Sequence, residues 1–394
     1  MICDRHPPAI VAIGFNRPLA LKRLLNTIAK ANYPADVSIP LVISIDKGGS
    51  SEVLNIAQDF VWQQGEKTVI EQVENLGLRR HVISCGDLTE KYETVIILED
   101  DLLVSPEFYH YTLEAINYYQ NSSEIAGISL YAYDFNEYAE AKFVALEDGY
   151  DNYFIQTASS WGQVWTKQQW QGFKQWYDAE STITNSVKKY PQKLAEWPAS
   201  SWKKYYIQYL IDSNKYYVYP RISLSTNSGD AGTNHGGGGN FQVPLVLGTK
   251  SYKFSNLAES LAKYDSHYEI EADCLKRLNP QLPDLNFECD FYGTKKIANI
   301  DSEYLISIKE CSDTLDSFSL SLIPQELNIV YSLSGTCFSL GRTQDFKQAK
   351  AANKITQLKY LHKNLGWKRY KNILQQTFID LVAAKLSDFS PKKI

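Results

Sequence analysis

Residues 95–104 read VIILEDDLLV, and this stretch determines the expected fold. Its apolar, largely β-branched start indicates a strand buried on both faces of a sheet, and the strand ends at Glu99, Asp100 and Asp101. In open α/β sheets, ligands bind at the carboxyl ends of the strands. Three adjacent carboxylates repel one another unless a cation neutralises them. The block is therefore interpreted either as a Mn²⁺ or Mg²⁺ site or as a solvated acidic turn.

Strands and helices alternate on both sides of this stretch. Apolar runs predict further strands at residues 9–15, 41–46, 68–73 and 125–130. Apolar residues at helical spacing predict helices at about 18–31, 52–62 and 79–88, and another that Ser105 caps and Pro106 opens. This alternation predicts an α/β fold with a mostly parallel sheet and helices on both faces.

Composition narrows the class of protein. The 394 residues are 44% hydrophobic, which is ordinary for a globular protein. The formal net charge is -5, so the overall charge does not favour binding to nucleic acid. The six cysteines are scattered without a C-x-x-C pair, which predicts reduced thiols in a cytosolic protein. Residues 1–6 are polar and no stretch approaches a membrane span, so we expect neither a signal peptide nor a transmembrane helix.

Polar residues follow the predicted strands and should meet at one edge of the sheet. Arg17 follows the first strand and Asp46 the second, while the acids end the fourth. Asp46 is suited to a ribose hydroxyl or a base N–H, Arg17 to a phosphate or the base, and a metal to a diphosphate. Each also has a plain alternative, with Asp46 as a helix cap and Arg17 as a surface charge. Neither G-x-x-x-x-G-K-[ST] nor G-x-G-x-x-G follows the first strand.

Together these segments resemble GT-A-fold nucleotide-sugar glycosyltransferases, and more narrowly bacterial relatives of N-acetylglucosaminyltransferase I. The resemblance covers about residues 8–245 and rests on the following motifs: NRP at 16–18, Asp46, NLG at 75–77, and ILEDDLLVSPEF at 97–108. It implies a Rossmann-like, mostly parallel sheet in a domain spanning residues 1–248. The nucleotide-binding half would be about 8–130 and the acceptor half about 131–248.

The resemblance also implies roles for single residues. Arg17, Asp46 and His81 would contact the uridine, Asp100 the ribose region, and Asp101 would bind Mn²⁺. Transfer would invert the anomeric carbon. Taken alone, a histidine such as His81 is more often a surface or helix-packing residue.

Residues 154–165 read FIQTASSWGQVW and resemble the segment of the same fold that lies under the donor sugar. Trp161 or Trp165 could stack on the apolar face of a sugar, and the alternative for each is a place in the core.

The position of the general base departs from the resemblance. Relatives carry Asp directly after the residue matching Trp202, but here Lys203 and Lys204 follow it. A protonated lysine cannot accept the acceptor's proton near neutral pH. Either Glu196 or Asp230 substitutes, or the register has shifted, or the enzyme is altered or inactive.

Residues 229–239 contain six glycines and predict a segment that orders only at an entropic cost. We interpret it as a lid over the donor, with His235 resembling a histidine near the metal or diphosphate. The alternative is a connector between domains.

Residues 249–394 form the predicted accessory region, whose end at about 342–394 carries twelve Lys or Arg against three Asp. Its apolar spacing predicts basic amphipathic helices that either contact the inner face of a membrane or pack on their own domain.

The sequence therefore predicts a cytoplasmic, metal-dependent glycosyltransferase. It would move a hexosyl or N-acetylhexosaminyl group from a nucleotide-sugar donor, UDP-linked, to a glycan or lipid-linked glycan hydroxyl in bacterial surface polysaccharide synthesis. The alternative is a non-catalytic nucleotide-sugar or glycan-binding protein of the same fold. A nucleotidyltransferase fits less well, because GFNR at residues 14–17 lacks the Gly-rich loop it needs.

Overall fold

The structure is a computed structural model that describes residues 6–179, 190–230, 241–348, 371–372 and 375–378. Residues 1–348 form one compact unit and residues 349–394 a second. The few described residues of the second unit are helical. The amphipathic helices predicted at 342–394 therefore lie almost entirely outside the described residues.

The amino-terminal third alternates strands and helices as predicted. Its elements are β1 (Ala9–Gly14), α1 (Pro18–Ala29), β2 (Leu41–Ile45), α2 (Ser51–Asp59), β3 (Lys67–Glu71), α3 (Gly77–Gly86), α4 (Thr89–Tyr92), β4 (Thr94–Glu99), β5 (Leu102–Val104), α5 (Phe108–Tyr119) and β6 (Ile125–Ser129). Pro18 opens α1, where its missing N–H costs no helical bond. The start predicted for α5 was wrong by two residues: the Ser105 hydroxyl accepts the Glu107 N–H in a turn, and the helix begins at Phe108.

The remaining elements are shorter. They are β7 (Phe135–Asn136), β8 (Ala141–Lys142), β9 (Asn152–Ile155), β10 (Gln163–Thr166), α6 (Lys167–Ala179), α7 (Gln192–Glu196), α8 (Trp202–Asp212), β11 (Tyr216–Pro220), β12 (Ser225–Asn227), β13 (Lys263–Tyr264), α9 (Ala272–Leu278), β14 (Phe287–Asp290), β15 (Tyr304–Ser307), β16 (Thr314–Phe318), α10 (Leu327–Val330) and β17 (Phe338–Arg342), with 3₁₀ turns at Ile297–Asn299 and Thr343–Asp345.

A nine-stranded sheet organises the first unit, in the order β13-β9-β11-β6-β10-β4-β1-β2-β3. Strands β1, β2, β3 and β4 pair in parallel, and β6 and β11 run the same way. The antiparallel strand β10 separates β4 from β6, and β9 and β13 also run against the majority. The predicted mostly parallel α/β sheet is confirmed, and the antiparallel insertions were not anticipated.

The central strands are covered on both faces. Every residue of β1 and β2 is buried, which accounts for their unbroken apolar sequences. Helix α1 packs on α2 and β1, whereas α3 and α6 both pack on α8. None of the described helices is long and apolar enough to span a lipid bilayer.

A second, four-stranded sheet has the order β14-β15-β17-β16. Only β14 and β15 pair in parallel in it. The edge strand β13 of the main sheet comes from residues 263–264, which follow the predicted boundary at residue 248. The predicted division there stays a prediction.

One buried carboxyl beside this second sheet predicts a pH-dependent stability. Burial raises the pKa of Glu326, which precedes α10 and hydrogen-bonds Tyr264, to about 7. The unfolded carboxyl ionises near pH 4.5, so between these two values the folded state holds more protons and stability falls as pH rises. Glu326→Gln should remove this fall. In urea unfolding, we expect the free energy of unfolding of the variant, relative to that of wild type, to be ~1–3 kcal/mol higher at pH 8 than at pH 4. Glu303→Gln, which changes an exposed carboxylate, is the control. If Glu326→Gln and wild type differ in free energy of unfolding by the same amount at pH 4 and at pH 8, the assignment is wrong.

Candidate functional site

The carboxyl ends of β1 and β4 meet where the order of the strands reverses. The chain runs from β1 outward through β2 and β3, and β4 then returns to the other side of β1. Ile13 of β1 pairs with Glu99, the last residue of β4. The crevice outside such a switch point is where open α/β sheets bind ligands. The acidic block therefore lies at the sheet edge that the sequence predicted.

Arg17 lies between two of the acids. Asp100 and Asp101 form the turn after β4, and the Arg17 guanidinium follows β1. It donates from Nε to Asp100 Oδ2 at 3.3 Å, from Nη2 to Asp100 Oδ1, and from Nη1 to Asp101 Oδ2 at 3.5 Å. Burial raises the pKa of Asp100 to about 6, against the lowering effect of Arg17. The Asp101 side chain keeps 20% of its surface exposed, so it is the more accessible carboxylate of this pair.

The surroundings of Glu99 favour its neutral form. Burial, together with the charges of Asp101 and Asp100, raises the pKa of Glu99 to about 8. The Trp202 side chain hydrogen-bonds this carboxyl, yet its buried Oε1 has no partner in the described part of the chain. Glu99 is therefore largely neutral at pH 7, which relieves the repulsion within the block.

Asp46 and His81 lie beside this edge, and both side chains form hydrogen bonds with other residues of the protein. The Asp46 carboxylate, after β2, accepts the N–H groups of Leu76 at 2.8 Å and Gly77 at 2.9 Å, where α3 begins. His81 is 3% exposed and its Nε2 lies 2.7 Å from Ser44 Oγ. Burial lowers the pKa of His81, so the ring is neutral. Both residues support the walls of the crevice, and their contact with a nucleotide stays a prediction.

Strand β12 brings Asp230 to the acidic turn. It pairs with β5, and Ser228 N–H donates to the Asp101 carbonyl at 2.8 Å. Arg23 of α1 then bonds both the Ser228 hydroxyl, at 2.7 Å, and the Asp230 carboxylate. Burial alone would raise the pKa of Asp230, but the bonds from Arg23 and Ser228 hold it below its ordinary value. A carboxylate held in this way is a weak proton acceptor.

Of two other predicted residues, one is not joined to the block and the other lies outside the described residues. Glu196 is exposed at the end of α7, and no described contact joins it to the acids. His235 lies outside the described residues, as does the rest of 231–240.

Trp161 lies just before β10, whose residue Gln163 pairs with Ile97 of β4. Its ring stacks on Phe241 with centroids 4.7 Å apart and tilts on Tyr131 at the same distance. It retains 9% of its surface exposed. Trp161 thus borders the carboxyl end of the acid-bearing strand.

Trp165 does not reach the site. It is fully buried between the rings of Tyr206 and Trp170, with centroids at 5.4 and 4.6 Å, and its indole N–H donates to the Tyr217 hydroxyl. A side chain without exposed surface cannot stack on a sugar, so the structure assigns Trp165 to the core. The sequence SSWGQVW thus contains two largely buried tryptophans, of which only Trp161 keeps exposed surface.

Lys203 is buried and paired with a residue that the sequence did not single out. Its Nζ lies 2.7 and 2.8 Å from the two carboxylate oxygens of Glu137 and 3.0 Å from the Tyr133 hydroxyl. The ammonium also lies 5.0 Å from the centroid of the Trp197 ring and 5.2 Å from that of Trp161. No local signal could have found this pair, since 66 positions separate its members. Lys204, by contrast, bonds the carbonyls at the end of α7.

The described residues contain no group of three or more His, Cys, Asp or Glu side chains arranged to hold a metal ion. Mg²⁺ and Mn²⁺ need no such cage, because they commonly take one or two protein carboxylates together with the phosphates of a substrate. Asp101 offers a partly exposed carboxylate of this kind, and Asp100 is tied to Arg17. The hard oxygen donors at this turn fit such an ion.

Comparison with models of protein families finds no match to this sequence. Comparison with curated proteins also finds none.

Solved structures show distant similarity. One is S. aureus TarS 1-349, 12% identical, covering 55% of this chain and 59% of that one with a TM-score of 0.37. The same protein in complex with UDP is 13% identical, covering 54% and 60% with a TM-score of 0.34. The mannosyltransferase PcManGT from Pyrobaculum calidifontis, in complex with GDP-Man and Mn²⁺, is 13% identical, covering 43% and 47% with a TM-score of 0.30. The match spans less than two thirds of each of these chains, and at these scores it establishes neither family nor function.

Proposed function

We propose that this protein is a metal-dependent glycosyltransferase of the GT-A type. It would move a sugar from a nucleoside diphosphate donor, UDP-linked, to a hydroxyl of a glycan acceptor. The observation that carries the proposal is the acidic turn at the switch point between β1 and β4, with Arg17 bridging Asp100 and Asp101. A guanidinium and a partly exposed carboxylate at such a crevice suit a ligand that combines phosphates with a divalent ion.

In this proposal each residue of the crevice contacts a different part of the donor. Asp101, with His235, would hold Mn²⁺ or Mg²⁺, which when bound offsets the charge on the leaving diphosphate. Arg17 would exchange its bonds to the two aspartates for bonds to a phosphate or the base, while Asp100 faces the ribose region. Asp46 and His81 would line the uridine side, and Trp161 the sugar.

The finer assignments belong to the same proposal. The acceptor would be a glycan or lipid-linked glycan of a bacterial surface polysaccharide, the transferred group a hexosyl or N-acetylhexosaminyl unit, and the stereochemistry inverting. The basic residues at 342–394 would contact an anionic membrane surface where a lipid-linked acceptor is found.

A second candidate is a nucleotide-sugar or glycan-binding protein that has lost catalysis. Lys203, at the position where the resemblance expects a carboxylate, is the observation that favours it. Only the first candidate cleaves a nucleotide sugar and releases its nucleoside diphosphate.

The test is the release of nucleoside diphosphate from a panel of donors, UDP-glucose, UDP-N-acetylglucosamine and GDP-mannose, in the presence of methyl glycosides as acceptors. We expect release from a UDP-sugar that requires Mn²⁺ or Mg²⁺. Metal-dependent nucleotide binding without any release would favour the nucleotide-sugar-binding protein. If the protein neither binds nor cleaves a nucleotide sugar, the glycosyltransferase and the nucleotide-sugar-binding protein are both wrong.

A further inference from the structure

Glu137 and Lys203 form a buried ion pair that the proposed nucleotide site does not use. The side chains are 12% and 8% exposed, and both carboxylate oxygens of Glu137 are within 2.8 Å of Lys203 Nζ. Burying two charges costs solvation that their attraction seldom exceeds, so such a pair is weak evidence of a stability role. A functional role is therefore worth seeking from what surrounds the pair.

The pair lies next to the candidate donor site. Lys203 follows Trp202, whose side chain hydrogen-bonds Glu99 at the end of β4. The Lys203 ammonium also faces the ring of Trp161, which borders the same strand end. Lys203 thus links the Glu137 carboxylate to Trp161, the residue proposed to contact the donor sugar.

The other carboxylates of the site are each bonded or assigned a role, and Glu137 is itself bonded by Lys203, so what distinguishes Glu137 is its position near Trp161. The Glu99 carboxyl is hydrogen-bonded by the Trp202 side chain, and Asp100 is bound by Arg17. Asp101 is the proposed metal ligand, and Asp230 is held by Arg23. Asp46 is used by backbone N–H groups.

Glu137 retains capacity to accept a further hydrogen bond. Its Oε1 accepts from Lys203 and, at 3.2 Å, from the Tyr133 hydroxyl, whereas Oε2 accepts only from Lys203 among the described contacts. Lys203 is the cation that faces it. The remaining titratable neighbours are tyrosines whose pKa values burial raises well above the usual range, so they stay neutral: Tyr131, Tyr133, Tyr138, Tyr219 and Tyr268.

We infer that Glu137 is the general base of the transfer, with Lys203 as its positioning residue. Resting on the proposed function, the step is a displacement at the anomeric carbon. Glu137 Oε2 takes the proton of the acceptor hydroxyl as the acceptor oxygen bonds to the anomeric carbon. The bond from that carbon to the diphosphate oxygen breaks, and the nucleoside diphosphate leaves with the electron pair.

A neighbouring cavity offers room for the acceptor. Its volume is about 530 Å³, and its lining includes Tyr133, Phe143, Tyr150 and Arg221. This volume is in the range of small-molecule sites. Tyr133 lines the cavity and its hydroxyl bonds Glu137, whereas Glu137 and Trp161 are not among the lining residues, so the cavity could hold a distal part of the acceptor and not the reacting hydroxyl.

The test is Glu137→Gln in the donor-release assay, alongside UDP binding with Mn²⁺. We expect release to fall by ~10²–10⁴-fold while UDP binding stays within about threefold of wild type. Because the single variant leaves Lys203 buried without a counter-ion, the double variant Glu137→Gln/Lys203→Met is measured as well, and it should fold, bind UDP and be equally inactive. Glu140→Gln is the matched control, since it removes an exposed partner of Lys193 close by in the chain, and it should leave release unchanged.

Lys203→Met gives a second readout. Removing the cation disfavours the charged carboxylate, so the acidic limb of the pH profile of release should move to higher pH, which a purely structural role would not cause. If wild type releases nucleoside diphosphate and Glu137→Gln keeps more than a third of that rate, the base assignment is wrong and the proposed function stands. Absence of both binding and release in wild type would overturn both.

Discussion

Asp101→Ala is expected to lower the affinity for UDP in the presence of Mn²⁺ by about 100-fold or more. Asp101 is the partly exposed carboxylate of the acidic turn, whereas Asp100 is buried and bound by Arg17. Its removal therefore takes away the accessible oxygen ligand and leaves the Arg17–Asp100 pair in place. Equilibrium dialysis with labelled UDP, with and without Mn²⁺, measures the change.

The control for this variant is Asp316→Ala, which removes an exposed carboxylate from β16 in the second sheet. It should bind UDP as wild type does. Equal Mn²⁺-dependent affinity in Asp101→Ala and wild type would show that the acidic turn does not hold the metal.

Trp165→Ala is expected to reduce the free energy of unfolding by ~3–5 kcal/mol. The indole has no exposed surface, lies between the rings of Tyr206 and Trp170, and donates to the Tyr217 hydroxyl. Truncation leaves a cavity in the core and removes one hydrogen bond of the Tyr217 hydroxyl, which keeps its bond with Tyr206. Urea unfolding followed by circular dichroism gives the change.

Trp165→Phe separates packing from the hydrogen bond. It keeps an aromatic ring in the same space, so we expect a smaller loss, about 1–2 kcal/mol. A loss below ~1 kcal/mol for Trp165→Ala would mean that the ring is not a core residue, and would return it to the candidates for sugar stacking.

The sequence predicted the sheet well where the signal is local. The unbroken apolar runs of β1, β2 and β4 can only be accommodated between two covered faces, and the acids must then lie at the strand end. The same logic correctly grouped Arg17 with Asp100 and Asp101, which the structure joins by hydrogen bonds. The antiparallel position of β10 between β4 and β6 was not predictable, because a short strand carries no sign of its direction.

The site was less predictable because pairing over long sequence separations decides it. Lys203 could only be interpreted as a missing base, since its partner Glu137 is 66 positions away on another element. Arg23 was not singled out although it fixes Asp230, 207 positions further along the chain. Trp161 and Trp165 belong to one motif, and only the tertiary packing decides which of them keeps exposed surface.

Calorimetric titration of the wild-type protein with UDP, with and without Mn²⁺ and with GDP as the comparison nucleotide, tests the central claim most directly. The acidic turn beside Arg17 at the β1–β4 switch point predicts metal-dependent binding of a nucleoside diphosphate, and the proposed UDP-linked donor predicts that UDP binds more tightly than GDP. If neither nucleotide shows metal-dependent binding, Glu99, Asp100 and Asp101 are an acidic turn and the glycosyltransferase proposal is wrong.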